Sequence, residues 1–352
     1  MKSRKYFLLI TSVLLFLTAC APQVVKIRVT GLVPARFHEA TKIKEIAVLP
    51  FDGPEGMGFS SELEALLTNA AIGEKPYFTI VDRVRLSQVI SEMKLSHSAL
   101  ANPDTAASIG KLVGTKGIYT GVVTSRNISG APYQENRYYM ECGAYNYVKG
   151  PYNTQIPICV NWIRKFYTVS CARNTASFSF TVKLVDVETA RVVYANDFSA
   201  NEADQACTDQ RAVTGGAELL RRAKDKVKIA FRGDVAPFYI ATNVELMQST
   251  EGIKSSEAEN KLKQGMEYAK ANRMDRACEF WGEAKDLEPQ APSLLYNLGI
   301  CSEVNGDLDQ ALRLFNLSDR AYGKPDPKIT AAIYRVTGAI QKQKKLKEQV
   351  TR

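Results

Sequence analysis

The chain has 352 residues, a formal charge of +9 and 24% charged residues, enough length for two separately packed domains. His38 and His97, its two histidines, lie far apart, which argues against a histidine-based catalytic or zinc centre. After the first twenty residues no stretch stays apolar for eighteen, which excludes a membrane-crossing helix there.

Lys2, Arg4 and Lys5 precede an apolar run from Phe7 to Leu17, and Leu17-Thr18-Ala19-Cys20 follows. The run is too short to span roughly 30 Å of hydrocarbon, and small residues before a cut site mark a processed export signal. Leu-Thr-Ala-Cys resembles the lipobox of bacterial lipoproteins, which implies removal of residues 1–19 and lipidation of Cys20. Ala21 after the cysteine, in place of aspartate, points to the outer membrane. Residues 20–41 then read as a lipidated tether. Removing the three basic residues of the signal takes the charge from +9 to +6, and Lys342, Lys344, Lys345, Lys347 and Arg352 crowd the far end. For an exported chain this favours anionic lipid, a polyanionic glycan or an acidic partner over nucleic acid.

Ile46 to Phe51 is a compact apolar run stopped by Asp52-Gly53, which reads as a buried strand entering a turn. Residues 59–71 carry the helical period through Leu63, Leu66, Leu67 and Ala70. Residues 78–81 form a second short strand, with Asp82 as cap of a helix presenting Leu86, Val89, Ile90 and Met93. Asp104 is the expected cap of a helix to Leu112, and residues 117–123 form the third strand. Residues 177–187 and 192–198 alternate around Glu188-Thr189-Ala190 as a hairpin. An amphipathic helix over 214–231 and a strand over 238–246 complete residues 42–246 as an α/β layer.

Two features resist a chemical reading. Gly53 to Gly58 lies between strand and helix but lacks the ordered glycines and lysine–serine pair of a phosphate loop, so it reads as a turn. Asp52, Glu55, Glu62 and Glu64 have no evident catalytic partner. No metal ligand set, cofactor site, acid–base pair or activated nucleophile emerges.

Several phrases in this stretch resemble the CsgG/HfaB family of bacterial envelope lipoproteins, the curli-production family. They are Lys44 to Phe51, Phe78 to Arg83, Ala107 to Gly114, Gly117 to Val123 and Val182 to Thr189, in order behind the lipobox. The resemblance implies an α/β sheet with helices in two or three layers, akin to anticodon-binding domains, and a non-enzymatic role in envelope assembly. It also implies homo-oligomerisation as an open alternative. In the curli secretion channel two amphipathic segments per subunit close into a membrane barrel. Here an insertion occupies residues 126–173, but the second site, residues 200–211, is short and polar. A membrane strand needs about nine to eleven residues with one apolar face. With Pro132, Pro151 and Pro157, and with Cys142, Cys159 and Cys171, the insertion reads as a disulfide-tied extramembrane elaboration of the sheet. Together with Cys207, Cys278 and Cys301 the cysteines after Cys20 number six, so an oxidised exported chain can pair them all. The partners of Cys142, Cys159, Cys171 and Cys207 stay open.

Residues 247–257 read as a linker to a helical module. Gly265, Tyr268, Ala277, Trp281, Ala284 and Pro289 match a tetratricopeptide repeat, and Leu295, Leu298, Gly299, Ala311 and Phe315 continue it. Gly265 and Gly299, Ala277 and Ala311, and Trp281 and Phe315 each stand one 34-residue period apart. Residues 258–323 therefore form two repeats and residues 327–349 a capping helix. Such an array either offers a concave face to a partner or only packs on the first domain. Cys278 and Cys301 are the expected clamp between the repeats, with two buried free thiols as the alternative. The leading functional reading is an outer-membrane lipoprotein that assembles, scaffolds or regulates an envelope apparatus through protein contacts. A secretion-channel subunit and a cell-wall-polymer enzyme are its competitors.

Overall fold

The computed structural model describes residues 24–351; the leader and Cys20 lie outside the described residues. The chain divides into two compact units, Ala35–Phe238 and a second one made of the chain up to Pro34 with Tyr239–Arg352. The described chain opens with β1 (Lys26–Val33), which belongs to the second unit.

The first unit runs α1 (His38–Lys42), β2 (Glu45–Val48), α2 (Gly56–Thr68), β3 (Ala71–Ile72), β4 (Lys75–Pro76), β5 (Thr79–Ile80), α3 (Arg83–Glu92) and α4 (Pro103–Val113). It continues with β6 (Gly117–Lys149), β7 (Gln155–Asp186), β8 (Val192–Cys207) and α5 (Gly216–Val235). Five strands form one mixed sheet in the order β5-β2-β6-β7-β8. β2 is parallel to β5 and β6, while β6, β7 and β8 are antiparallel. Because strand side chains alternate, Ile46 and Val48 enter one core and Ala47 and Leu49 the other. The first core joins the sheet to α2 and α5 through Phe59, Leu63, Phe178, Phe180, Val227 and Phe231. The second joins it to α3 and α4 through Leu86, Ile109, Ile118 and Val185. The architecture is thus three layers, helices on both faces of the sheet.

Local chemistry sets the boundaries. Asp82 accepts from the Val84 N–H at 2.6 Å and starts α3. At α4 the cap is Asn102, which accepts from the Asp104 N–H at 2.9 Å. Asp104, the expected cap, sits in the first turn, because Pro103 occupies the first helical position and moves the cap upstream. The glycine turn after β2 is structural. Gly53 has φ +84°, and a Cβ there would lie 2.1 Å from the Val123 carbonyl oxygen.

The second unit adds β9 (Phe238–Glu245), whose first residue falls across the boundary, and then five helices. These are α6 (Ser256–Lys270), α7 (Met274–Leu287), α8 (Pro292–Val304), α9 (Leu308–Tyr322) and α10 (Pro327–Val350). α6 packs on α7, α8 on α9 and α10 on α9. Close approach within the pairs comes from Gly265 and Gly299. A Cβ at Gly265 would lie 2.2 Å from Trp281 Nε1, and one at Gly299 would lie 2.5 Å from Phe315 Cε1.

The tether expected over residues 20–41 is corrected here. From Lys26 the chain is strand β1, paired with β9, and residues 38–42 are helix. Val25, Ile27 and Val29 share one core with Val244, Leu262, Met266, Tyr296 and Ile300. The alternation Val25-Ile27-Val29 buries one side of β1 against α6, α8 and α10. The linker over 247–257 is also built in. Buried Asn297 donates to the Met247 carbonyl and accepts from its N–H, both at 2.9 Å, and Glu288 accepts from the Lys254 and Ser255 N–H groups.

Candidate functional site

The expected sheet elaboration is a long ribbon. β6 and β7 pair without a break from Gly117↔Asp186 to Lys149↔Gln155, apart from local bulges. β8 accompanies β7 only as far as Cys171↔Cys207. Beyond that pair the hairpin is two-stranded, and its sixteen β7 residues, 155–170, reach roughly 50 Å at strand rise. The second site, 200–211, which the sequence shows as short and polar, is the end of β8 and the bend after it.

Side-chain alternation explains what the ribbon presents. From Leu184 back to Trp162, β7 has no bulge, so Trp162 and Phe166 share a face with Phe178, Phe180 and Val182. In the body of the sheet that face is buried under α2 and α5. In the ribbon no helix among the described residues covers it, and Trp162 is 58% and Phe166 70% exposed. Tyr138 stands opposite Phe166, their ring centroids 6.3 Å apart, and the Arg164 guanidinium lies 4.5 Å from the Tyr138 ring. Met140, opposite Arg164, is exposed as well. The other face is mixed: Tyr139 and Tyr167 are in ring contact, and Lys165 reaches Glu141 at 3.6 Å.

An isolated two-stranded hairpin is marginal in water, and covalent and ionic ties hold this one. Cys142 is bonded to Cys159 along the ribbon, and Cys171 to Cys207 where β8 ends. Arg137 donates to Asp209 at 2.8 Å and to Glu135, which raises its own pKa through the Glu135 bond first, and Tyr167 donates to Asp209. Near the end of β8, Asp204 accepts from Arg211 at 2.5 Å and from the Thr214 N–H at 2.8 Å, both in the segment after the strand. Arg211, then Thr214, holds the Asp204 carboxyl well below the usual carboxylate range. At Pro132 and Pro157 the strand has one neighbour only among the described residues, the edge setting in which strands tolerate proline.

The remaining sites fall in the second unit. Cys278 on α7 is bonded to Cys301 on α8 with Cα atoms 5.9 Å apart. Gly265, Ala277, Trp281, Ala284, Leu295, Gly299, Ala311 and Phe315 are buried, with Tyr268 and Leu298 packed against the same core. Trp281 Nε1 donates to the Leu262 carbonyl at 3.2 Å, and Tyr268 stacks on Phe280. Pro289, expected to pack, is exposed in the turn after α7 and shapes that turn instead.

Chemistry beyond contact is sparse. Glu135, Cys171 and Cys207 lie close enough to resemble a metal triad, but the two sulfurs are bonded to each other and Glu135 is paired with Arg137. The most buried acid, Asp234, accepts from Tyr194 Oη and Asn196 Nδ2 at 2.8 Å and pairs with Arg36 at 2.5 Å. Burial, then Asp234, pushes the Tyr194 phenol up. This island ties β8 and α5 together in the core. Among the described residues no helix is long and apolar enough to cross a membrane.

No curated protein matches the chain. Among solved structures it is similar to the LpoB C-terminal domain from Salmonella enterica, with 13% identity, TM-score 0.24, and 45% of this chain and 83% of that one covered. Lipoprotein GNA1162 from Neisseria meningitidis shares 11% identity at TM-score 0.27, with 53% and 96% covered. The PelC dodecamer from Paraburkholderia phytofirmans shares 11% at TM-score 0.23, with 60% and 97% covered. The model of the curli production assembly/transport component CsgG matches residues 25–221, more than half of the sequence. The chain belongs to the CsgG family.

Proposed function

We propose that the protein is a non-enzymatic outer-membrane lipoprotein, anchored through Cys20, that assembles or scaffolds an envelope apparatus by protein contacts. The observation that carries this reading is the exposed aromatic face of the ribbon, a sheet face that is covered by helices in the body of the unit and by no described residue beyond it. Family membership supports it, since members of this family are generally non-enzymatic. In this reading the helical unit is a tetratricopeptide array, supported by the 34-residue offset between the Gly265–Trp281 and Gly299–Phe315 contacts. The exposed lysines near the end of α10 face an anionic glycan, a lipid surface or an acidic partner. The ribbon is also the surface through which copies of this chain would associate.

A photo-crosslinking residue placed at Phe166 in intact envelopes tests the reading, with exposed Val84 on α3 as the control. Discrete protein adducts at Phe166 and none at Val84 are expected; equal labelling at both positions refutes it. Cys20→Ser should release the protein from the membrane or stall its processing, and an equally anchored, normally processed variant refutes the lipid assignment.

One observation favours a second reading, a channel subunit. Each ribbon strand exceeds the nine to eleven residues that a membrane strand needs, with one apolar and one mixed face. The scaffold reading expects no conductance when the purified protein is added to lipid bilayers, because the second segment is a strand of the sheet body and leaves one hairpin per copy. Reproducible large conductances would decide for the channel.

A further inference from the structure

The second unit carries a groove of about 470 Å³, within the range of ligand sites, that the ribbon reading does not use. Its lining shows what kind of surface it is. β1 contributes five consecutive residues, Val29 to Val33, while β9 contributes the alternate residues Ile240 and Thr242. A strand shows alternate side chains to a space over its face and successive residues to a space along its edge. The groove therefore runs over the face of β9 and along the edge of β1. Among the described residues β1 has one strand neighbour, β9, so its other edge keeps backbone groups available for pairing.

The opposite wall is α10, with Gly338, Ala339, Lys342 and Leu346 turned to the groove at helical spacing. Gly31 on β1 and Gly338 on α10 face open space, since a Cβ at either would meet nothing within 4 Å. Two bare walls leave room for a backbone between them. Val304 and Leu308 supply further apolar lining.

Charge then selects the occupant. Glu303, the acid of the groove, is held by Arg335 through two 2.7 Å bonds and is neutralised there. Lys342 at the rim, and Lys344, Lys345 and Lys347 beyond it, make no ion pair among the described residues. The rim is therefore cationic over an apolar floor.

We propose that this groove takes an extended segment of another protein, added as a strand to the edge of β1, in which apolar side chains alternate with carboxylates. The apolar side chains enter the groove and the carboxylates meet Lys342 and its neighbours. An anionic lipid shares the charge chemistry but has no use for the edge of a strand, which is why a peptide is favoured. The site is separate from the ribbon and stands whether or not the ribbon reading does.

The test uses the full mature chain in detergent against displayed random twelve-residue peptides, with phosphatidylglycerol vesicles as a second probe. Gly338→Trp and Gly31→Trp fill the groove from its two walls without meeting the core, and an unchanged melting temperature verifies each fold. The expected result is enrichment of peptides alternating apolar and acidic residues, with at least tenfold weaker binding by both tryptophan variants and by Lys342→Glu. Slowed hydrogen exchange at Thr30 to Leu32 should accompany binding. Failure to enrich any peptide, enrichment without that alternation, or undiminished binding by the tryptophan variants overturns the proposal. Vesicle binding lost in both tryptophan variants, with no peptide selected, overturns it in favour of lipid.

Discussion

Gly265→Ala is the sharpest probe of how the helical unit packs. The added Cβ would lie 2.2, 2.6 and 2.8 Å from three atoms of the Trp281 indole, a rigid ring with no exposed surface. Either α6 and α7 separate or the ring turns, and turning it breaks the Nε1 bond to the Leu262 carbonyl. Overpacking costs about 1–3 kcal/mol, and a lost buried hydrogen bond adds about 1–3. Alanine recovers about 1 kcal/mol of helix propensity over glycine. The net expectation is a loss of about 1–5 kcal/mol. Gly338→Ala on α10 is the control, because its Cβ meets nothing within 4 Å and only the propensity gain of about 1 kcal/mol remains. The two substitutions should therefore shift stability in opposite directions. Urea unfolding followed by Trp281 fluorescence, in a Trp162→Phe background that removes the chain's other tryptophan, reads this unit alone. Stabilisation by Gly265→Ala comparable to that by Gly338→Ala would refute the packing argument.

Three further outcomes are expected. Replacing Cys278 and Cys301 by serine opens a 23-residue span, and loop-closure entropy puts the loss at about 3 kcal/mol in the same urea assay; an unchanged midpoint counts against the clamp. Asp234→Ala leaves the Tyr194 hydroxyl and the Asn196 amide without their acceptor, at a cost of about 2–4 kcal/mol in thermal unfolding; Asp234→Asn, which keeps one acceptor oxygen, should cost less. The Asp204 carboxyl is depressed in the fold by Arg211 and Thr214, so its contribution is present above the ordinary aspartate value of about 3.9 and fades as pH falls through the lower folded value. Protection from hydrogen exchange in residues 208–214, taken relative to the intrinsic rate at each pH, should then fall with acid more steeply in the wild type than in Asp204→Asn, and parallel profiles would contradict this.

Much of the first unit was legible because its signals are local. The unbroken apolar run Ile46-Ala47-Val48-Leu49 already reads as a buried strand, while the sequence leaves two layers or three open and the two cores decide for three. The 34-residue offset between Gly265 and Gly299 marks the places where a ring leaves no room for a Cβ. The cap of α4 lies two residues before the expected one, since Asn102 and Asp104 are both good capping residues and Pro103 decided between them.

The rest depended on partners distant in sequence. Residues 126–173 contain prolines and exposed aromatics that fit a loop as well as a strand, and only the register from Gly117↔Asp186 to Lys149↔Gln155 makes them one ribbon. A strand signal reports which side chains alternate, and leaves open whether a helix covers the face they form. For Phe178 and Phe180 the cover is α2 and α5; for Trp162 and Phe166, further along the same face, there is none among the described residues. β1 shows the same limit. Val25, Ile27 and Val29 alternate over too few residues to announce a strand, and their burial depends on β9 and on helices more than two hundred residues further on. Local alternation and period are properties of neighbouring residues, so where they run long enough the sequence by itself determined the element and its buried face. Pairing and cover are set by which distant surfaces exclude water together, and these the tertiary structure alone decided.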